Sequence, residues 1–187
     1  ASNILIGRSA GGAGTDLAYS VIIGHSAGDA INTNNSQGSV IIGYQAGQCN
    51  TTGYCNVYLG PEAAKSFSTG RHNFIVGYQA GYSGNSGQHN FIVGQLAFNK
   101  VCSSDNVAIG EYAGYNFCSQ SGGNILIGKN IAASSNGGGG NVMLGHSIVG
   151  SNTFIESVYA TNRNNAENTA KARNPHARYA YVIGTSS

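Results

Sequence analysis

The chain has no tryptophan, one methionine, two prolines and only 9% charged side chains in 187 residues. Charge is not only scarce but balanced, with a formal net of +2. Through residue 150 the basic side chains are Arg8, Lys65, Arg71, Lys100 and Lys129, against Asp16, Asp29, Glu62, Asp105 and Glu111. No cluster of cations is available to neutralise a phosphate backbone, so nucleic acid is not an expected partner. No apolar run approaches the roughly 20 residues a membrane helix needs, and membrane insertion is not expected. The first residues show no charged segment followed by an apolar one, so a secretory signal has either been removed or never existed. Neither a metal-ligand spacing nor a cofactor motif stands out, so no cofactor and no metal are expected.

What is abundant is glycine, 29 residues, together with asparagine and serine, while 41% of the chain is still apolar. That combination points to repetition rather than disorder, because a disordered chain lacks the apolar share needed for a core. Nine copies of one phrase begin at Asn3, Ser20, Ser39, Asn56, Asn73, Asn90, Asn106, Asn124 and Asn141. The spacing centres on 17 residues, about one coil of a β-solenoid. The expected fold is therefore all-β, a parallel β-solenoid (β-roll or β-helix) of about nine 17-residue coils over residues 1–150, trimeric or stacked into a fibre.

Behind the polar residue come three apolar columns. The first runs Ile4, Val21, Val40, Val57, Phe74, Phe91, Val107, Ile125 and Val142, and the third Ile6, Ile23, Ile42, Leu59, Val76, Val93, Ile109, Ile127 and Leu144. Alternate residues of a strand share a face, so these two columns are expected to fill the coil. The middle column then points outward: Leu5, Ile22, Ile41, Tyr58, Ile75, Ile92, Ala108, Leu126 and Met143. It is apolar too, and strands apolar on both faces are covered on both. Leu5, Ile22, Ile41, Tyr58, Ile75, Ile92, Leu126 and Met143 are accordingly the expected self-association face, most simply of a trimer of parallel coils. Burial is worth roughly 1.5–3 kcal/mol for each large side chain.

A glycine follows the triplet in all nine copies, from Gly7 to Gly145, and a nine-fold requirement calls for a positive φ or a close approach between coils. Three residues later an alanine, Ala10 to Ala113, gives way to Ile131 and Ile148 and marks a second, narrower inward position. The remaining Ser, Asn, Gly and Thr are read as outer turns, and the polar column as a stacked amide ladder. A repeat begins at Asn3 with no polar cap before it, so the chain is either cut from a longer fibre or stacks end to end on another copy. Residues 151–187 break the pattern and read as a cap or a subunit-joining segment.

Cys102 and Cys118 lie in one column of adjacent coils, about 5 Å apart at strand spacing, which suits a disulfide. Cys49 and Cys55 share one outer turn and could close a small loop. Two bridges would imply an oxidising, extracellular setting. Several motifs tempt without carrying weight. Residues 11–19, GGAGTDLAY, fit a calcium-binding nonapeptide, but that motif works between consecutive copies and occurs once here. IGRSAG, IGHSAG and VGYQAG each match one acyltransferase hexapeptide, yet two thirds of every coil does not. His25 and His146 share a variable column, and His72 and His89 recur in register, so repetition explains them. Asn34 and Asn50 are formal glycosylation acceptors on turns. The tyrosines Tyr44, Tyr78, Tyr82 and Tyr115 are candidate surface contacts, since exposed rings stack on sugars.

The phrases NILIG, SVIIGHSAG, SVIIGYQAG, NFIVGYQAG and NVAIGEYAG resemble the NxxxGxxAG repeats of bacteriophage tail fibres and of trimeric autotransporter adhesin heads. The resemblance spans residues 3 to about 150. It implies an elongated trimeric fibre outside the cell or on a virion, and it brings no catalytic residues. The expected function is a non-enzymatic structural fibre subunit with host-surface attachment. A glycan-binding adhesin head is the alternative, and a hexapeptide-type acyltransferase comes third. The expected partners are further copies of the chain and a cell-surface glycan.

Overall fold

A computed structural model describes residues 2–12, 17–31, 38–117, 122–132 and 139–146. It is an all-β solenoid in which nine three-residue strands form one parallel sheet, and the described residues contain no helix. The strands are β1 (Ile4–Ile6), β2 (Val21–Ile23), β3 (Val40–Ile42), β4 (Val57–Leu59), β5 (Phe74–Val76), β6 (Phe91–Val93), β7 (Val107–Ile109), β8 (Ile125–Ile127) and β9 (Val142–Leu144). Each pairs with the next in chain order, so every column of the repeat becomes a straight ladder: Phe74 pairs with Phe91, Ile75 with Ile92 and Val76 with Val93. The expected segment 151–187 lies outside the described residues.

The facing of the strands is the reverse of the expectation. Ile22, Ile41, Tyr58, Ile75, Ile92, Ala108 and Leu126 are fully buried within the chain and Met143 nearly so. The middle column is therefore the core, not a self-association face, and only Leu5, on the first strand, is exposed. The reason is the polar column. Asn56, Asn73, Asn90, Asn106, Asn124 and Asn141 are buried, and a residue two positions further along an extended chain must share their side. The first and third columns are left on the outer face.

Two further inward columns line the coil, and Phe98, one residue beyond its alanine, is buried with them. The alanine position is buried from Ala27 to Ala113, and Ile131 continues it, in agreement with the sequence reading. The other column, seven residues beyond the repeat's glycine, holds Ile31, Phe67, Val101 and Phe117, all within the supposed polar turn. Bulk along this column is offset by its absence one coil away. The Phe67 ring fills the space where a Cβ on Gly84 would sit and packs 6.0 Å from the Tyr58 ring.

Corners are made by left-handed residues. After Gly77 (φ 134°) the chain turns through Gln79 (φ 52°), with Ala80 N–H donating to the Gly77 carbonyl at 3.3 Å, and turns again at Gly81 (φ 59°). Leu96, Tyr112 and Phe98 take comparable values, each at a cost of about 1–2 kcal/mol for a residue with a Cβ. Bonds between coils hold them there: Gln79 N–H reaches the Pro61 carbonyl and Leu96 N–H the Tyr78 carbonyl. The stack thus maintains turns that a single coil could not.

Burial pushes the Tyr58 phenol to a higher pKa. Its hydroxyl is the one buried side-chain polar atom among the described residues without a hydrogen-bond partner. An unsatisfied buried hydroxyl costs about 1–3 kcal/mol. Tyr58→Phe should therefore leave the solenoid as stable as before or raise its stability by about 1 kcal/mol in urea unfolding. A loss of that size would show that the hydroxyl is bonded.

Candidate functional site

The feature that the fold leaves unexplained is the outer face of the sheet. Eighteen positions, two per strand, carry Val, Ile, Leu or Phe and no polar residue. Neighbours in each ladder shield one another, yet Phe74 and Phe91 keep about two fifths of their surface open, and Ile4, Ile6 and Leu144 more than half. The two phenyl rings are stacked at 4.9 Å and 7°, so they stand on edge and present rims rather than faces. At about 4.8 Å per strand the face is about 38 Å tall, and the two columns cover about 500 Å². The largest apolar patch on a monomer is commonly 300–600 Å².

Two flanking columns border this stripe. On one side lie Tyr54, Cys55, Arg71, His72, His89 and Asp105. His72 and His89 are stacked at 5.3 Å, His89 Nδ1 is 3.4 Å from an Asp105 oxygen, and Arg71 lies over the Tyr54 ring. On the other side lie His25, Tyr44, Pro61, Tyr78, Glu111 and Lys129, with His25 stacked on Tyr44 at 5.6 Å and Lys129 paired to Glu111 at 2.7 Å.

The four candidate tyrosines do not come together. Tyr44 and Tyr78 are exposed in the column beside the stripe, two coils and about 10 Å apart. Tyr82 and Tyr115 are half-buried around the next turn, with Lys65 Nζ 5.4 Å from the Tyr82 ring and Tyr112 edge-on to Tyr115.

Cys49 and Cys55 are exposed free thiols, so the small loop between them is not closed. Their corners differ: Cys55 sits in the left-handed position just before Asn56 (φ 53°). The pairing of Cys102 with Cys118 falls partly outside the described residues, as do Asn34 and Asp16 of the calcium-like motif. Asn50 is no accessible acceptor for glycosylation. It is buried and folds back on its own turn, accepting from Gly53 N–H at 2.8 Å and donating to the Gly53 carbonyl at 3.3 Å.

Among the described residues no group of three or more His, Cys, Asp and Glu could hold a metal ion. The most connected charged cluster is structural. Glu62 receives Gln79 Nε2 at 2.7 Å and Lys65 Nζ at 3.0 Å, while the same Lys65 donates to Gln45 at 2.8 Å, tying three coils together. The Gln79 and Lys65 bonds hold the Glu62 carboxyl below its ordinary 4.5. A depressed carboxyl stabilises the fold above its unfolded pKa and stops doing so as pH falls through its folded value. Glu62→Gln should therefore be less stable than the parent at pH 7, by up to about 1 kcal/mol. The gap should close on acidification below pH 4.5; a gap that persisted in acid would exclude the charge as its cause.

Comparison with protein-family models, with curated proteins and with solved structures returns no match.

Proposed function

We propose that this chain is a stretch of a non-enzymatic structural fibre, extracellular or on a virion surface, built from copies of itself. The observation that carries the reading is the conjunction of nine in-register strands with an outer face apolar at every position. A fold that repeats one backbone device nine times makes a rod, about 40 Å long at strand spacing. A stripe of about 500 Å² is at the size of the largest patch on a typical monomer, and such patches are often functional. The tail-fibre and adhesin-head resemblance of the repeat supports the location, and a Cys102–Cys118 bridge would suit the same oxidising setting. Electron microscopy of the purified chain should show rods; compact globular particles would overturn the reading.

A second reading, attachment to a cell-surface glycan, is favoured by Tyr44 and Tyr78, whose exposed rings share a column of the rod. Binding on a glycan array that is lost in Tyr44→Ala and Tyr78→Ala supports it, and an array without a hit rejects it.

A further inference from the structure

We propose that the outer face of the sheet is closed by a second copy of this chain, lying parallel to the first with its strands in register, so that the first column of one copy packs on the third column of the other. The inference rests on the fibre reading above and specifies its interface.

Area is the first argument. The apolar columns alone offer about 500 Å², and with both flanking columns the face reaches about 1,000 Å², close to the roughly 800 Å² per partner of a standard interface. The second argument is a size rule within the rows. Only β5 and β6 carry Phe in the first column, and only these two carry Val in the third, as Val76 and Val93. Where the first column is Val, the third is always Ile or Leu, and β1 and β8 have Ile in both. No row is thick twice and none is thin twice. Water imposes no such constraint on summed volume, whereas a close-packed surface does.

Direction follows from the same rule. A rotation axis along the rod sets the first column of one copy against the third column of the other in the same row, so Phe74 meets Val76 of the second copy and every row has similar thickness. An antiparallel pair, with its axis along the strands, sets like columns together. It would place Phe74 on Phe74 and Val76 on Val76 of the second copy, a bulge beside a gap.

The test uses the full chain and reads self-association by light scattering and sedimentation, with circular dichroism confirming that each variant is folded. The parent should be a dimer, and a closed assembly of three chains would overturn a face covered by a single second copy. Phe74→Val or Val76→Phe alone should weaken association about tenfold or more, as expected for removing or crowding two to three methylenes. The double swap F74V/V76F should return to within about threefold of the parent. Nitroxide labels carried by a non-canonical amino acid at His25 or at Tyr78 should report the same separation between copies. An antiparallel pair would add an axial offset of about 29 Å at His25 and none at Tyr78. A monomeric parent, a swap that fails to restore association, or the unequal label distances would overturn the proposal. Single-chain rods in the microscope would leave the fibre reading standing while this interface falls.

Discussion

Gly77→Ala is expected to cost more than about 4 kcal/mol, the range reserved for substitutions that break a specific structural device, and to unfold the solenoid or cut it at the fifth coil. Two effects combine. The residue sits at φ 134°, and a Cβ there would lie 2.5 Å from the Gly94 carbonyl oxygen and 2.7 Å from its carbon. These atoms are backbone and cannot swing aside. Moving them would spoil the bond from Gly94 N–H to the Val76 carbonyl, 2.8 Å long, and with it the stacking of every later coil. Gly140→Ala is the control. It also has a positive φ, 76°, but nothing lies within 4 Å of the added carbon, so only the conformational cost of about 1–2 kcal/mol should appear. Thermal unfolding followed by circular dichroism separates the two; equal losses would mean that φ alone, not the approach of coils, requires glycine after the strand.

The second large effect concerns the amide ladder. Asn90 Oδ1 accepts both the N–H and the side-chain amide of Asn106, at 3.1 and 2.9 Å, while Asn90 Nδ2 donates to Asn73 Oδ1 at 3.0 Å and the Ser103 carbonyl at 3.2 Å. Asn90→Leu, close in size, removes all four bonds and strands the Asn106 N–H in the core. At about 1–3 kcal/mol for each buried group left unpaired, the loss should reach about 3–5 kcal/mol. Asn90→Ser should be milder, because serine already serves in this column. Ser39 Oγ accepts Asn56 N–H at 3.2 Å, and Ser20 Oγ accepts Ser39 N–H at 3.3 Å. The ladder therefore asks first for an acceptor to the next coil's N–H and only then for an amide. Denaturant midpoints of the two variants decide it, and a serine variant as damaged as the leucine one would refute that order.

The inverted facing turns on the burial of the asparagines, which the sequence does not state. Asn73 and Ile75 are two residues apart, so a buried amide ladder and an inward Ile75 are one statement. That alternate residues share a face groups the first column with the third but does not say which face is inside. The core position of Phe67 and Phe117 was hidden differently. Each stands among Ser, Thr, Asn and Gly, and its column contains Asn50 and Gly84, so no periodic apolar signal identifies it. Only the position of Gly84 beneath the Phe67 ring explains the variation.

From the sequence alone come the nine strands, the parallel in-register sheet, the glycine after every strand, the inward alanine and the amide ladder. Each follows from a period near 17 residues, kept without exception by the glycine and with a few substitutions, Ser20, Ser39 and Ile131 among them, by the other columns. Tertiary structure alone decided which side of a three-residue strand is inside, because both sides are apolar and periodicity is blind to sign. It also decided that Ile75 belongs to the core while Phe74 and Val76 line the outer face. The physical reason lies at the neighbouring position: a buried asparagine must bond the next coil, and the strand's two-residue alternation carries that requirement to the residue two places on.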